Sequence, residues 1–252
     1  MRSSNPVLNS KTFGTIDPNA EPMTINGTVN KTALLLVLTM ITGAITWGMV
    51  FRPEFAVGGA DAANPLAMPF MIGGAIVGFI LALIIIFKKT TAPMLAPLYA
   101  MAEGLFLGGI SAFYEMQFPG IVIQAVTLTF GTLFTLLMAY RSGVIKATEN
   151  FKLGVVAATG AIFIVYLLSF VLNMFNIGGL GFIHDSGPLG IGFSLVVVVI
   201  AALNLVLDFD FIETGAEAGA PKYMEWYGAF GLMVTLVWLY LEILRLLSKL
   251  RK

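Results

Sequence analysis

Seven apolar stretches, each close to the about 20 residues a helix needs to cross a bilayer, dominate this chain. They run over about 32–51, 67–87, 92–114, 120–140, 153–175, 190–212 and 228–248. Lipid offers no hydrogen bonds, so each stretch is predicted to be a helix that closes its backbone bonds internally. The connections are short, which makes neighbouring helices antiparallel and leaves no room for an inserted soluble domain. The expected fold is an all-α, seven-helix transmembrane bundle over residues 32–252. The polar residues 1–31, rich in Asn, Ser, Thr and Pro, are expected to be a disordered tail; they lack the apolar core of a signal peptide. Composition agrees, since only 11% of residues are charged against about 25% in soluble domains.

The same composition removes whole classes of function. A net charge of zero, with the charges placed in short connections, gives nucleic acid no basic surface to bind. No cysteine is present, so disulfides, thiolate metal sites and Cys nucleophiles are excluded together. The one histidine, His184, cannot build a multi-histidine zinc site and is expected to pair with Asp185 in a solvated loop. There is no Gly-x-Ser-x-Gly elbow, His-Glu-x-x-His motif or phosphate-binding Gly-x-x-x-x-Gly-Lys. No mid-span lysine offers a Schiff base. An intramembrane aspartyl protease would have two carboxylates but no supporting motif. The chain is therefore expected not to be an enzyme and to hold no resident cofactor.

Lysine and arginine counts orient the spans. Arg2, Lys11 and Lys31 lie in the tail, Lys88 and Lys89 in the second connection, Arg141, Lys146 and Lys152 in the fourth, and Lys222 in the sixth. The other side has only Arg52. The amino terminus is thus expected in the cytoplasm. Arg245, Lys249, Arg251 and Lys252 run against this count, because seven full crossings export them. Either that basic end is exported, or the last segment does not fully cross.

Few charges lie inside the spans: Glu103, Asp208, Asp210 and Glu242, with Arg245 and Lys249 near the last span's end. An ionised carboxylate at mid-helix costs about 2.5–3.5 kcal/mol on insertion scales, so each calls for a function or a partner. In Asn204-Leu-Val-Leu-Asp208-Phe-Asp210-Phe-Ile-Glu213, Asn204 and Asp208 share a helix face. Asp210 turns about 200° away from Asp208. Asp210 and Glu213 are expected at the polar cytoplasmic boundary, with no need of a partner. Glu103 is either a helix-to-helix hydrogen-bonding group or part of a pathway. Glu242 has two readings. It pairs with Arg245 three residues on, or it faces Asp208 across the sixth and seventh helices. In the second case the two acids share a proton and can hold a hard cation through oxygen ligands. Were the sixth helix to end at Ile212 and the seventh to start at Tyr223, the two acids would sit roughly 20 Å apart in depth. They meet only if the sixth helix runs past Glu213, or if the 221–227 stretch lies along the interface. Gly74-x-x-x-Gly78 and Gly104-x-x-x-Gly108 are predicted to be faces for close helix packing.

Leu207-Asp208-Phe-Asp210-Phe-Ile on the sixth span and Leu239-Tyr-Leu-Glu242-Ile-Leu on the seventh resemble the Bax inhibitor-1 family, in particular its bacterial YccA-like branch. Ala102-Glu103-Gly104-Leu-Phe-Leu-Gly108 and the Tyr-Gly-Ala-Phe-Gly-Leu run at 227–232 agree, and the likeness extends from about residue 32 to the end. It implies seven helices with the last one central, in a bacterial inner membrane, and a pH-sensitive calcium leak controlled by an acidic pair. On this match Asp208 takes the place of the family's sixth-helix aspartate and Glu242 that of its seventh-helix aspartate. Asp210, Glu103 and Asn204 are accessory candidates, and Lys88 or Lys89 stands near a basic residue of the family. The expected partners are the lipid bilayer and calcium as the transported ion. A second reading, from a different class, is a membrane interaction protein that modulates a stress-response or quality-control protease, with the acids structural and a membrane protein as partner.

Overall fold

Each apolar stretch forms one helix in the computed structural model, which describes residues 21–51, 67–175, 180–183 and 185–252. The helices are α1 (Ile25–Phe51), α2 (Ala67–Phe87), α3 (Ala92–Gln117), α4 (Ile121–Arg141), α5 (Glu149–Met174), α6 (Pro188–Glu217) and α7 (Met224–Leu250). All seven are long and apolar enough to span a bilayer. The chain is an all-α integral membrane protein. α7 is the most enclosed, with 56% of an apolar 18-residue stretch buried against 17–44% in the others. Arg52, His184 and the first 20 residues lie outside the described residues.

Two expected boundaries are corrected. α1 starts at Ile25, so residues 25–31 are helix and not tail. α6 continues to Glu217, past the expected end at Ile212. It stops where Gly219 takes a left-handed φ of 64°, a conformation that costs glycine least.

The chain forms two compact units, one of Met1–Phe113 with Phe211–Met233 and one of Tyr114–Asp210 with Val234–Lys252. In the first unit, α1 presents a buried stripe of Thr28, Thr32, Thr39, Thr42 and Thr46. Their hydroxyls donate to main-chain carbonyls three or four residues earlier, which satisfies them without water. α3 meets this stripe through Gly104 and Gly108. A Cβ on Gly104 would collide with Thr42 Oγ1 and Thr39 O, and one on Gly108 with Gly43 O. Gly74 lies against Ala102 O, and Gly78 beside the Glu103 carboxyl. Both predicted glycine faces are therefore packing faces.

The early start of α1 has a tertiary cause. Glu225, fully buried in the first turn of α7, accepts from the Thr24 N–H and hydroxyl, both at 2.9 Å, and pairs with Lys31. Thr24 in turn accepts from Gly27 N, as a helix N-cap does. Met23 N donates to Ala220 O at 2.7 Å. Lys222 and Glu21 form an exposed pair at 2.7 Å. The hydrogen bond from Lys222 holds the Glu21 carboxyl below its usual range and, reciprocally, raises the Lys222 ammonium. The contribution of Glu21 is lost as pH falls through its lowered pKa, and that of Lys222 as pH rises through its raised one.

In the second unit, Glu115 caps the start of α4 by accepting from Gly120 N and Val122 N. Gly120, at φ 80°, makes the turn. α7 is an unbroken helix to Leu250, and its basic end is engaged rather than free. Arg251 donates to Phe118 O, Pro119 O and the Gln124 side chain at 3.2, 2.9 and 2.8 Å. Lys249 bonds to the α5–α6 connection and the start of α6. The end of α7 thus lies with the third and fifth connections, the two that carry no lysine or arginine of their own.

Candidate functional site

Asp208 lies within α6, nine residues before its end, in an otherwise apolar stretch. The residue is half-buried, but its Oδ2 is enclosed and has no hydrogen-bond partner among the described residues. The side chain hydrogen-bonds Thr235 of α7. Leaving a buried polar atom unpaired costs about 1–3 kcal/mol, more when it is charged. A helix that keeps one in a lipid-spanning segment marks a functional candidate.

Glu242 is engaged elsewhere. It is 3% exposed, and its carboxylate accepts from Arg245 Nη1 at 2.9 and 3.1 Å. The Tyr166 hydroxyl of α5 donates to it at 3.1 and 3.2 Å. Arg245 closes the triangle by donating to the Tyr166 oxygen at 2.6 Å while lying over its ring, 5.2 Å from the centroid. Of the two sequence readings, the pairing with Arg245 is the one formed. Thr235 precedes Glu242 by seven residues, two turns or about 10 Å along α7. The continuation of α6 past Glu213 meets one condition for an acid pair, yet the register of α7 sets a hydroxyl, not a carboxylate, against Asp208. The described contacts give Glu242 and Asp208 different partners and do not show the expected shared-proton pair.

The neighbours of Asp208 also differ from expectation. Asn204 donates to Thr159 Oγ1 of α5 and to Ile200 O, both at 2.8 Å, so it ties α6 to α5. Asp210 has a partner after all: Lys152, in the first turn of α5, reaches it at 2.7 Å, with Glu149 a further 3.6 Å contact of that ammonium. Two half-enclosed charges at the end of a helix are cheaper held together than separately desolvated, which is why the boundary position does not leave Asp210 alone. Glu213 likewise has an interaction partner.

Glu103 belongs to the first unit. Tyr99, one turn earlier on α3, hydrogen-bonds it, while its Oε2 is buried with no hydrogen-bond partner among the described residues. Gly78 of α2 leaves the space in which this carboxyl sits. Lys89 places its ammonium 5.3 Å from the Tyr227 ring centroid.

Sequence reasoning missed Thr235, Tyr166 and Glu225. A threonine or tyrosine in a membrane helix gives little signal by itself. Glu225 was legible as an acid in the first turn of a helix, a favoured place for one. Among the described residues, no three His, Cys, Asp or Glu side chains converge as a metal cluster. Calcium binds through six to eight oxygens, and two separate carboxylates do not make a resident site for it.

Comparison with curated proteins returns no match. The family described as Bax inhibitor 1 like matches residues 5–252, nearly the whole chain and every element described above, so this seven-helix protein belongs to the Bax inhibitor-1-like family.

Proposed function

We propose that the protein is a proton-sensitive calcium leak channel in which Asp208 is the titrating group. The observation that carries this reading is the enclosed, unpartnered Oδ2 of Asp208 inside a membrane-spanning helix. Such a carboxyl changes charge with a single proton and offers a free oxygen lone pair to a hard cation. Family membership supports the same reading. Glu242, held by Arg245 and Tyr166, acts as a structural anion, and Glu103 is a second acid with an unpartnered oxygen. The protein works without enzymatic chemistry or a resident cofactor; calcium is its cargo and the bilayer its surroundings.

Purified protein in liposomes loaded with a calcium indicator tests this directly. Calcium influx above that of empty liposomes, changing with pH, is the expected result. Absence of flux at every pH between 5 and 8 would move the protein to the interaction reading, in which Asp208 serves contacts with a membrane partner.

The charge counts support a cytoplasmic amino terminus, and the resemblance of the sequence to the bacterial branch of the family supports placement in a bacterial inner membrane. The bonds of Lys249 and Arg251 to main-chain oxygens support an exported carboxyl terminus, because cations so engaged are less available to the cytoplasmic surface. Reporter fusions within 141–152 should score as cytoplasmic. Fusions within 176–189 and after Lys252 should score as external. The opposite pattern would reverse the orientation, and a cytoplasmic score after Lys252 alone would remove the last crossing.

A further inference from the structure

A lysine near the end of a membrane helix ordinarily runs its ammonium outward to water. Lys249 does the opposite. It is 5% exposed, and its Nζ donates to Ile183 O at 2.6 Å, Gly190 O at 2.9 Å and Ser194 Oγ at 2.8 Å. An ammonium has three N–H donors, and here each has an oxygen. Ile183 and Ser194 are fully buried and Gly190 is buried, so all three acceptors belong to residues in the interior and not on a passing surface.

The location sharpens the point. Gly190 is in the first turn of α6, where the helix dipole disfavours a cation. Arg245 and Lys252 repel the same ammonium, while Glu242 and Asp185 attract it. Among the described residues, no carboxylate forms a salt bridge with it. What holds the charge in place is a set of neutral oxygens at ammonium-like distances.

We propose that Ile183 O, Gly190 O and Ser194 Oγ form a binding site for a monovalent cation of ammonium size, with Lys249 as its tethered occupant. The chemistry favours a single charge. Calcium takes more ligands, at 2.3–2.6 Å, and gains affinity from charged ones, whereas this cage is neutral. In the native chain the tethered ammonium clamps the start of α6 and the 180–183 segment to the end of α7. Removal of the lysine side chain opens the cage to a free ion.

The test uses the full-length protein, purified in detergent, and does not depend on calcium flux. Lys249→Ala should lower the melting temperature by several degrees. Propylammonium chloride, which restores the deleted carbons and the ammonium, should recover much of the loss, and potassium chloride less. Choline chloride at the same ionic strength should recover none. Adding Ser194→Ala to Lys249→Ala should abolish the recovery. Lys249→Arg keeps the charge but replaces a three-pronged point donor with a planar fork, so it should melt below the native protein. Equal recovery by choline, or native stability in Lys249→Arg, would overturn the site. If Lys249→Ala does not fold, Lys249→Arg and Ser194→Ala decide: both melting below the native protein supports the cage, and native stability in either rejects it.

Discussion

Gly108→Ala should lower the melting temperature of the purified protein by roughly 5–10 °C, from an overpacking cost of about 2–3 kcal/mol, and Gly108→Leu should leave no folded protein. The first atom a new Cβ meets is Gly43 O, a main-chain atom of α1, followed by Thr46 Oγ1. A flexible side chain can swing aside, but a helix backbone moves only by separating the two helices along their length. Separation would also pull Gly104 away from Thr39 and Thr42. The effect should therefore exceed that of an ordinary small-to-large change. Gly48 and Gly73 provide matched controls, because nothing lies within 4 Å of a Cβ at either position. Alanine there should be neutral or stabilising by up to about 1 kcal/mol, through helix propensity alone. Thermal melts of the four variants check this. A Gly108→Ala protein as stable as Gly48→Ala would show that the α1–α3 approach is looser than described.

The fold was legible because its dominant signal is one of length and hydropathy, which each span carries independently. The start of α1 and the end of α6 departed furthest from expectation, while α5 and α7 each begin four residues earlier than expected and α3 runs three further. Residues 25–31 are mostly polar, with only Ile25 and Val29 apolar, so hydropathy assigns them to the tail. They are helical because Lys31 and Thr24 reach Glu225, about 200 positions away in sequence. The end of α6 past Ile212 carries Glu213 and Glu217 and is followed by Gly219, whose positive φ was not distinguishable among the chain's 27 glycines. The candidate site divides in the same way. Asp208 stood out because burying a carboxylate is costly wherever it happens, and the Glu242–Arg245 pair was readable from helical spacing. The register between α6 and α7 was not readable. It is set by where each helix starts and how the 218–223 connection turns, and a shift of two turns leaves the apolar pattern of α7 intact while exchanging Glu242 for Thr235.

That exchange yields the sharpest functional expectation. Asp208→Asn should flatten the pH dependence of calcium flux while leaving the protein folded, since an amide keeps the shape of the carboxyl and still accepts from Thr235. Glu242→Gln should behave differently. It removes the negative charge that faces Arg245, leaving a membrane-embedded guanidinium with neutral acceptors, the new amide oxygen and the Tyr166 oxygen and ring, but no counter-charge from position 242. A loss of stability of about 3–5 kcal/mol is the usual result of breaking one side of a buried pair; Arg245 is 33% exposed, so the loss here should be smaller. Whatever folds should retain a pH response, because Asp208 is untouched. Asp210→Asn should leave the pH response as it is and only release Lys152. The double variant separates the two arrangements. Two acids sharing a proton are one unit, so the second substitution would add little to the first. Two acids with different partners, Thr235 for Asp208 and Arg245 with Tyr166 for Glu242, should give effects that sum: a flat pH profile from one and a lower melting temperature from the other. Flux measured from pH 5 to 8 on the two single variants and the double variant, alongside their melting curves, decides the matter. A flat pH profile in Glu242→Gln alone would restore the coupled pair, and an unchanged profile in Asp208→Asn would remove Asp208 as the proton-sensing group.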